Sequence, residues 1–401
     1  MTGELALLRE RLAARVIAAN GIRSGRVAAA LRDVPRHLFL PGLPPEAAYR
    51  DDAIVTKRDA AGMPVSSSSQ PAIMAIMLDQ LELAPGHRVL EIGTGTGYNA
   101  ALMRHIVGPS GLVVSADIDA DLAGRAREQL AGAGYPDVVV LAADGAEGCP
   151  AHAPYDRVIA TVGVSDLAPA WLDQAAAAAR IVVPLDVRGA QLSVAFGRTG
   201  RHWTGRSLAP CGFMRMRGSL AGPERVVFPL PGLAVTLYDG RDLDTAALAA
   251  ALGGPRAEQP TGVRAGASQV CWGLGLWLAT REPRWCGLSG EQAAVLDRPP
   301  IRHGDWRSTV GIAADDGIAM LAAADAAQGS VTLTAAGFGP GAARLAAELA
   351  AQVLAWDEAG RPGPQRLHVD AYPRSSPDRP YPLGDEIVIE RPATRFVVYR
   401  A

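Results

Sequence analysis

Cysteine is scarce in this chain. Its four cysteines, Cys149, Cys211, Cys271 and Cys286, are scattered without C-x-x-C spacing, so neither a zinc knuckle nor a redox pair is indicated. The seven histidines form no H-x-x-x-H or related cluster, which leaves a metal site without support. Neither sign of charge is in excess. The net charge is −2 and the charged residues are interspersed, so there is no electrostatic case for a nucleic-acid partner. Long apolar runs are missing as well: none reaches membrane-spanning length, and residues 1–11 carry charges where a signal peptide needs an apolar core. A cytoplasmic protein with no membrane partner is expected. What is present is globular material, since 49% apolar residues over 401 positions can bury the cores of two domains.

The most informative stretch is Arg88-Val-Leu-Glu-Ile-Gly-Thr-Gly-Thr-Gly-Tyr98. Val89, Leu90 and Ile92 suit a buried parallel strand, and a helical pattern begins at Tyr98. Between them Gly93, Gly95 and Gly97 let backbone approach a ligand where a Cβ would intrude. Strand, tight turn and helix in this order make a nucleotide-sized site, with helix N–H groups available to an anionic part of the ligand. Asp117 closes the next strand, Val113-Val-Ser-Ala-Asp117, where a carboxylate can accept both hydroxyls of a ribose. Glycine spacing by itself is also what a bare strand-turn-helix corner favours. The acid and the spacing decide: Glu91 precedes the first glycine, and G-x-G-x-G is not the G-x-G-x-x-G of dinucleotide enzymes, which disfavours a nicotinamide oxidoreductase.

This stretch resembles motif I of S-adenosylmethionine-dependent methyltransferases. The resemblance implies S-adenosylmethionine as cofactor, held by Glu91, Gly93, Thr94, Gly95 and Gly97. It makes Asp117, beside Ile118, the ribose-binding acid. Asp144 and Gly145, after the strand Val138-Val-Val-Leu141, become the adenine side. Thr161, at the end of the strand from Asp156, falls near the methyl group. Intact acids and glycines argue against a peptide-binding module with a vestigial donor site.

A second set of motifs narrows the resemblance. The order Val34-Pro-Arg-His-Leu-Phe-Leu-Pro41, Tyr49-x-Asp51, Ser69-Gln-Pro71 and then the glycine motif is similar to protein-L-isoaspartate O-methyltransferases. In that family's pattern the serine before Gln-Pro lines the active site, and it falls on Ser69. The hydroxyl two residues earlier falls on Ser67, and Ser68 between them is assigned to the donor. Pro71 also suits the first position of a helix that buries Ile73, Ile76, Met77 and Leu81, so Ser69 lies at or beside its N-cap. Capping and substrate contact are compatible. A carboxylate acceptor is already a nucleophile, so hydroxyls that orient it are needed and a general base is not.

The substrate reading rests on departures from that pattern. Between Tyr49 and Ser69 the chain runs about six residues longer than the family's motif, through Val55-Thr-Lys-Arg-Asp59. With the serine run and an appended domain, this looks like homologues associated with ribosomally made peptides, the lanthipeptide and graspetide pathways. The resemblance implies carboxyl methylation of an aspartate in a constrained precursor peptide, leading to aspartimide or isoaspartate. Repair of isoaspartyl residues in damaged proteins is the alternative. Lys57 and Arg58 read either as a solvated loop or as a docking point for the peptide.

The expected fold is α/β: residues 1–218 as a Rossmann-like methyltransferase domain behind N-terminal helices, then 219–401 as an accessory α+β domain, a candidate for substrate recognition. Arg180–Leu185, Gln191–Phe196 and Cys211–Arg217 are expected as the last strands of the first domain. The tail Arg391–Tyr399 is expected as a strand of the second. Gly337-Phe-Gly-Pro-Gly341 resembles a phosphate loop, but Pro340 at a helix start explains it more simply.

Overall fold

The computed structural model describes residues 2–60, 62, 64–290, 297–303, 306–325, 329–376 and 386–400. They fall into two compact units. One comprises Met1–Asp186, Gln191–Gly222 and His368–Arg400, the other Val187–Ala190 and Pro223–Leu367.

In the first unit the apolar spacing of the N-terminal residues produces α1 (Thr2–Asn20) and α2 (Gly25–Asp33), which bury Leu12, Val16, Val27 and Leu31. Ser24 caps α2 by accepting from the Val27 amide at 3.3 Å. A 3-10 turn (Arg36–Phe39) and the short α3 (Pro45–Ala48) lead to an antiparallel hairpin, β1 (Ile54–Arg58) and β2 (Pro64–Ser68). Pro71 then opens α4 (Pro71–Leu81).

The alternating part of the chain follows as β3 (Arg88–Ile92), α5 (Tyr98–Val107), β4 (Leu112–Asp117), α6 (Ala120–Gly132), β5 (Val139–Ala142) and β6 (Tyr155–Ala160). α7 (Pro169–Gln174) precedes the long strand β7 (Ala175–Val187) and its neighbours β8 (Ala190–Thr199) and β9 (His202–Pro210). β3 pairs in parallel with both β4 and β6, so strand order reverses between β3 and β6. Ligands of open parallel sheets bind beyond the carboxyl ends of the strands at such a reversal. The core on one side of this sheet is a single cluster that includes Leu78, Val89, Leu102, Val113 and Ile159.

Two expectations about the strands are corrected. Cys211–Arg217 is not a strand: it runs irregularly, with one isolated bridge between Gly163 and Arg215, and β9 stands in its place beside β8. The tail does not join the second unit. β18 (Leu367–Pro373), β19 (Ile387–Glu390) and β20 (Thr394–Arg400) extend the first unit's sheet in the order β9-β18-β20-β19. The expected division at Gly218 therefore lies close to where the chain leaves the first unit, but the last strands return to it.

The second unit is sheet-rich. Its strands, β10 (Arg225–Leu230), β11 (Leu233–Leu237), β12 (Arg256–Ala265), β13 (Trp285–Gly290), β15 (Trp306–Ala314), β16 (Gly317–Ala323) and β17 (Val331–Phe338), are antiparallel, with β14 (Ile301–His303) beside β15. Helices α8 (Thr245–Leu252), α9 (Gly275–Arg281) and α10 (Ala342–Glu358) complete it, and α10 buries Leu345, Leu349, Val353 and Trp356. Gly341 is the N-cap of α10, so this turn serves a helix start. No helix among the described residues is long and apolar enough to cross a membrane.

Candidate active site

The site begins where β3 ends. The Gly93 amide donates to Ala116 O at 2.8 Å, and the Thr161 amide, after β6, donates to Ile92 O at 2.8 Å. Gly93 holds a φ of +96°, and a Cβ there would lie 2.9 Å from both Thr161 Oγ1 and Val162 Cγ1. Only glycine fits this corner without displacing its neighbours. The Thr161 hydroxyl closes it by donating to Gly93 O at 2.6 Å. Gly97, at φ +83°, is the N-cap of α5, with the Leu130 side chain where a Cβ would project.

Glu91 lies fully buried beneath this loop, and both its carboxylate oxygens are engaged. Asn99 Nδ2 donates to one at 2.8 Å and Ser115 Oγ donates to the other. Burial pushes its pKa up to about 7. The Ser115 and Asn99 donors pull against that rise, and Asp117 adds to it. Asp117 ends β4 with one oxygen accepting from the Gly95 amide at 2.9 Å and the other from the Asp119 amide at 3.0 Å. Asp144, after β5, accepts from the amides of Ala146 at 3.0 Å and Ser219 at 2.9 Å.

The opposite wall comes from β2. Its serines alternate as the strand's period of two requires. Ser66 and Ser68 are buried, Ser66 Oγ accepting from Thr56 Oγ1 at 3.1 Å and Ser68 Oγ lying 3.4 Å from Arg36 Nη2. Ser67 and Ser69 are partly exposed. Gln70, not Ser69, is the N-cap of α4, and the Asp51 carboxylate caps that helix by accepting from the Ala72 amide at 2.9 Å. Ser69 therefore sits beside the cap, with its hydroxyl not spent on it. The hairpin is tied down by Lys57, whose ammonium meets Asp119 at 2.7 Å and Asp121 at 3.0 Å. Asp119 is the N-cap of α6, two residues beyond Asp117.

Between these walls lies a cavity of about 870 Å³, its open mouth included. Among the residues expected from sequence, Ser67, Ser68, Ser69, Gly93, Thr94 and Gly95 line it, as do Asp117, Ile118, Gly145 and Thr161. Glu91, Gly97 and Asp144 stand behind the wall, where they hold the pieces that form it. Lining residues that the sequence reading missed include Ser66, Asn99 and the segment Phe213–Arg217. That segment is pinned across the top of the sheet by two bonds, from the Gly163 amide to Met214 O and from the Met216 amide to Gly163 O, both at 2.8 Å. Arg215 pairs with the buried carboxylate of Asp186. Glycines open to a ligand, an acid at the end of β4 and the half-exposed Ile118 suit an adenosine group. The Ser67 and Ser69 hydroxyls, across the same cavity, suit a polar acceptor. No group of three or more potential metal ligands occurs among the described residues.

Comparison with known proteins agrees with this geometry. The family model described as protein-L-isoaspartate(D-aspartate) O-methyltransferase matches residues 8–219. The protein-L-isoaspartate O-methyltransferase of Methanopyrus kandleri is 40% identical over 184 residues, covering 46% of this chain and 79% of that protein. The enzyme of that name from Ignicoccus hospitalis is 36% identical over 207 residues, covering 51% of this chain and 95% of that protein. A solved structure named protein-L-isoaspartate O-methyltransferase shares the fold over 90% of this chain and 96% of its own, with TM-score 0.52 and 24% identity.

Proposed function

Since this chain belongs to the protein-L-isoaspartate O-methyltransferase family and is an S-adenosylmethionine-dependent enzyme, we propose that it methylates the free carboxylate of isoaspartyl residues in proteins or peptides. The observation that carries this reading is the pair of hydroxyls, Ser67 and Ser69, on the wall of the same cavity as Gly93, Gly95 and Asp117.

Asp117 would hold the ribose, Gly145 and Ile118 would flank the adenine, and the Gly93–Gly95 backbone would take the amino-acid end of the donor. S-adenosylmethionine, when bound, supplies a methyl carbon made electrophilic by the sulfonium, leaving S-adenosylhomocysteine and a methyl ester. The residues of this chain then have two tasks. Ser67 and Ser69 orient the acceptor carboxylate by donating to one oxygen while the other faces the donor, and Phe213–Arg217 narrows the mouth against water. No proton has to be removed, so the site needs no basic dyad. The ester offers methoxide as a leaving group that a carboxylate lacks, and attack by the next backbone nitrogen on its carbonyl carbon, with loss of that nitrogen's proton and release of methanol, closes a succinimide whose hydrolysis returns aspartate or isoaspartate.

The narrower reading, methylation of a normal aspartate in a constrained, ribosomally made precursor, finds less support than isoaspartate repair. Lys57, one of its docking candidates, is engaged by Asp119 and Asp121. A second unit does not single out peptide maturation, because the fold shared with the solved structure of the repair-enzyme name reaches into it. Four free cysteines fit a reducing, cytoplasmic setting.

Intact-mass spectrometry of reactions with S-adenosylmethionine tests the reading, with a linear isoaspartyl peptide, its normal aspartyl isomer and a cyclised aspartyl peptide as acceptors. A methyl-ester gain on the isoaspartyl peptide alone is expected. Gain confined to the cyclised aspartyl peptide would overturn it in favour of peptide maturation.

A further inference from the structure

Arg36 is the most unusual buried side chain near the site. It is fully buried and makes no ion pair among the described residues, and burial lowers its pKa. Its guanidinium instead gathers backbone from three stretches. Nη1 donates to Ala48 O at 3.0 Å and Arg50 O at 2.9 Å; Nη2 donates to Asp52 O at 3.2 Å and Ser69 O at 3.1 Å, with Ser68 Oγ at 3.4 Å. Nε has no partner among the described residues. A buried cation satisfied by carbonyls carries a desolvation cost that an apolar residue would avoid. What it gives in return is position.

We propose that Arg36 is a positioning residue for methyl transfer: its guanidinium fixes the end of β2 and the residue after it, so that the half-exposed Ser67 and Ser69 meet the acceptor while Ser66 and Ser68 stay buried. The inference rests on the functional reading above. Side chains on a strand alternate, so a slip of one residue would bury Ser67 and Ser69 and expose Ser66 and Ser68 in their place. Arg36 holds the alternation from the buried side, on the oxygens of Ser68 and Ser69. Asp51 locks the next residues by accepting from the Ala72 amide, while Gln70 Nε2 donates to Asp51 O at 3.1 Å. Lysine cannot replace the planar fork, because one ammonium cannot reach carbonyls on several sides at once.

The test compares Arg36→Lys, Ser69→Ala and the double variant in the full chain, reading kcat and KM for an isoaspartyl peptide, S-adenosylhomocysteine affinity by calorimetry, and hydrogen exchange over residues 64–70. Arg36→Lys is expected to lower kcat about tenfold to a hundredfold, the scale of a misplacement near an ångström. Donor affinity should stay within about twofold, exchange at 66–70 should quicken, and the double variant should be no slower than the worse single within about twofold. Unchanged kcat, or losses that multiply in the double variant, would overturn the proposal. If Arg36→Lys does not fold, Ser68→Ala decides: faster exchange at Ser69 and Gln70 with lowered kcat supports it, and neither change refutes it. A wild-type chain inactive on isoaspartyl peptides would remove the functional reading, and the exchange result alone would then decide whether Arg36 sets the register.

Discussion

Replacing Glu91 with glutamine should change how the stability of this protein depends on pH, and the sign can be worked out. Burial raises the Glu91 pKa from its ordinary 4.5 to about 7. Below pH 4.5 the carboxyl is protonated in both folded and unfolded chains. Between 4.5 and about 7 the unfolded chain releases the proton while the folded chain keeps it, so stability falls as pH rises. At 1.36 kcal/mol per pH unit the full loss is about 3 kcal/mol, reached above pH 7. Glutamine has no proton to lose in this range. It keeps an acceptor for Asn99, and the Ser115 hydroxyl can turn from donor to acceptor, a change that adds a constant offset without pH dependence. Thermal unfolding of both proteins across a buffer series isolates the proton. The advantage of Glu91→Gln should widen from acid to neutral pH by about 6–12 °C, at about 2–4 °C per kcal/mol for a unit of this size. Parallel curves would refute the reasoning, since they would mean that Glu91 ionises in the folded chain as easily as in the unfolded one.

Other perturbations act on neighbouring parts of the site. Asp117→Ala removes the acceptor of the Gly95 amide together with the ribose contact, and should weaken donor binding by about 1.5–3 kcal/mol; unchanged calorimetric affinity would count against its role. Gly93→Ala forces a side chain into a φ of +96° against Thr161 and Val162, and should cost about 1–3 kcal/mol in denaturant unfolding as well as donor affinity. Lys57→Met releases the hairpin from α6, so donor affinity should drop at low salt and the difference from wild type should shrink at high salt. A salt-independent difference would mean that the ion pair is not what the substitution removed.

The donor half of the site was legible in the sequence because its physics is local. A buried parallel strand, glycines that must take positive φ and an acid closing the next strand are all written within thirty residues of one another, and Gly93, Gly95 and Asp117 meet at one cavity. The roles of Glu91 and Asp144 were not legible, because a conspicuous acid reads the same whether it faces the ligand or holds the loop from behind. Met214–Arg217 alternates apolar and polar residues like a strand but finds only a single bridge, whereas β9 hides its strand behind Thr204, Arg206 and Ser207. The alanines at the start of β7 favour a helix by themselves, yet they run extended into a strand that pairs with β6 at Ala175 and again from Arg180. Arg36 shows the limit most clearly, since its acceptors lie 12 to 33 residues away and nothing in the local sequence marks them.

The return of β18, β19 and β20 to the first unit bears on the order in which the protein can be completed. The Asp166 carboxylate, in the loop after β6, accepts from the Ala393 amide at 2.7 Å across 227 residues. During synthesis the donor pocket's own strands leave the ribosome early. This brace cannot form until the whole second unit has followed, and β9 has β18 for its neighbour only from then on. A nascent or truncated chain ending before His368 would thus expose a bare sheet edge while already carrying the glycine loop. Ribosome release with donor binding measured on staged chain lengths would reveal whether the donor site and the protected sheet edge arrive together.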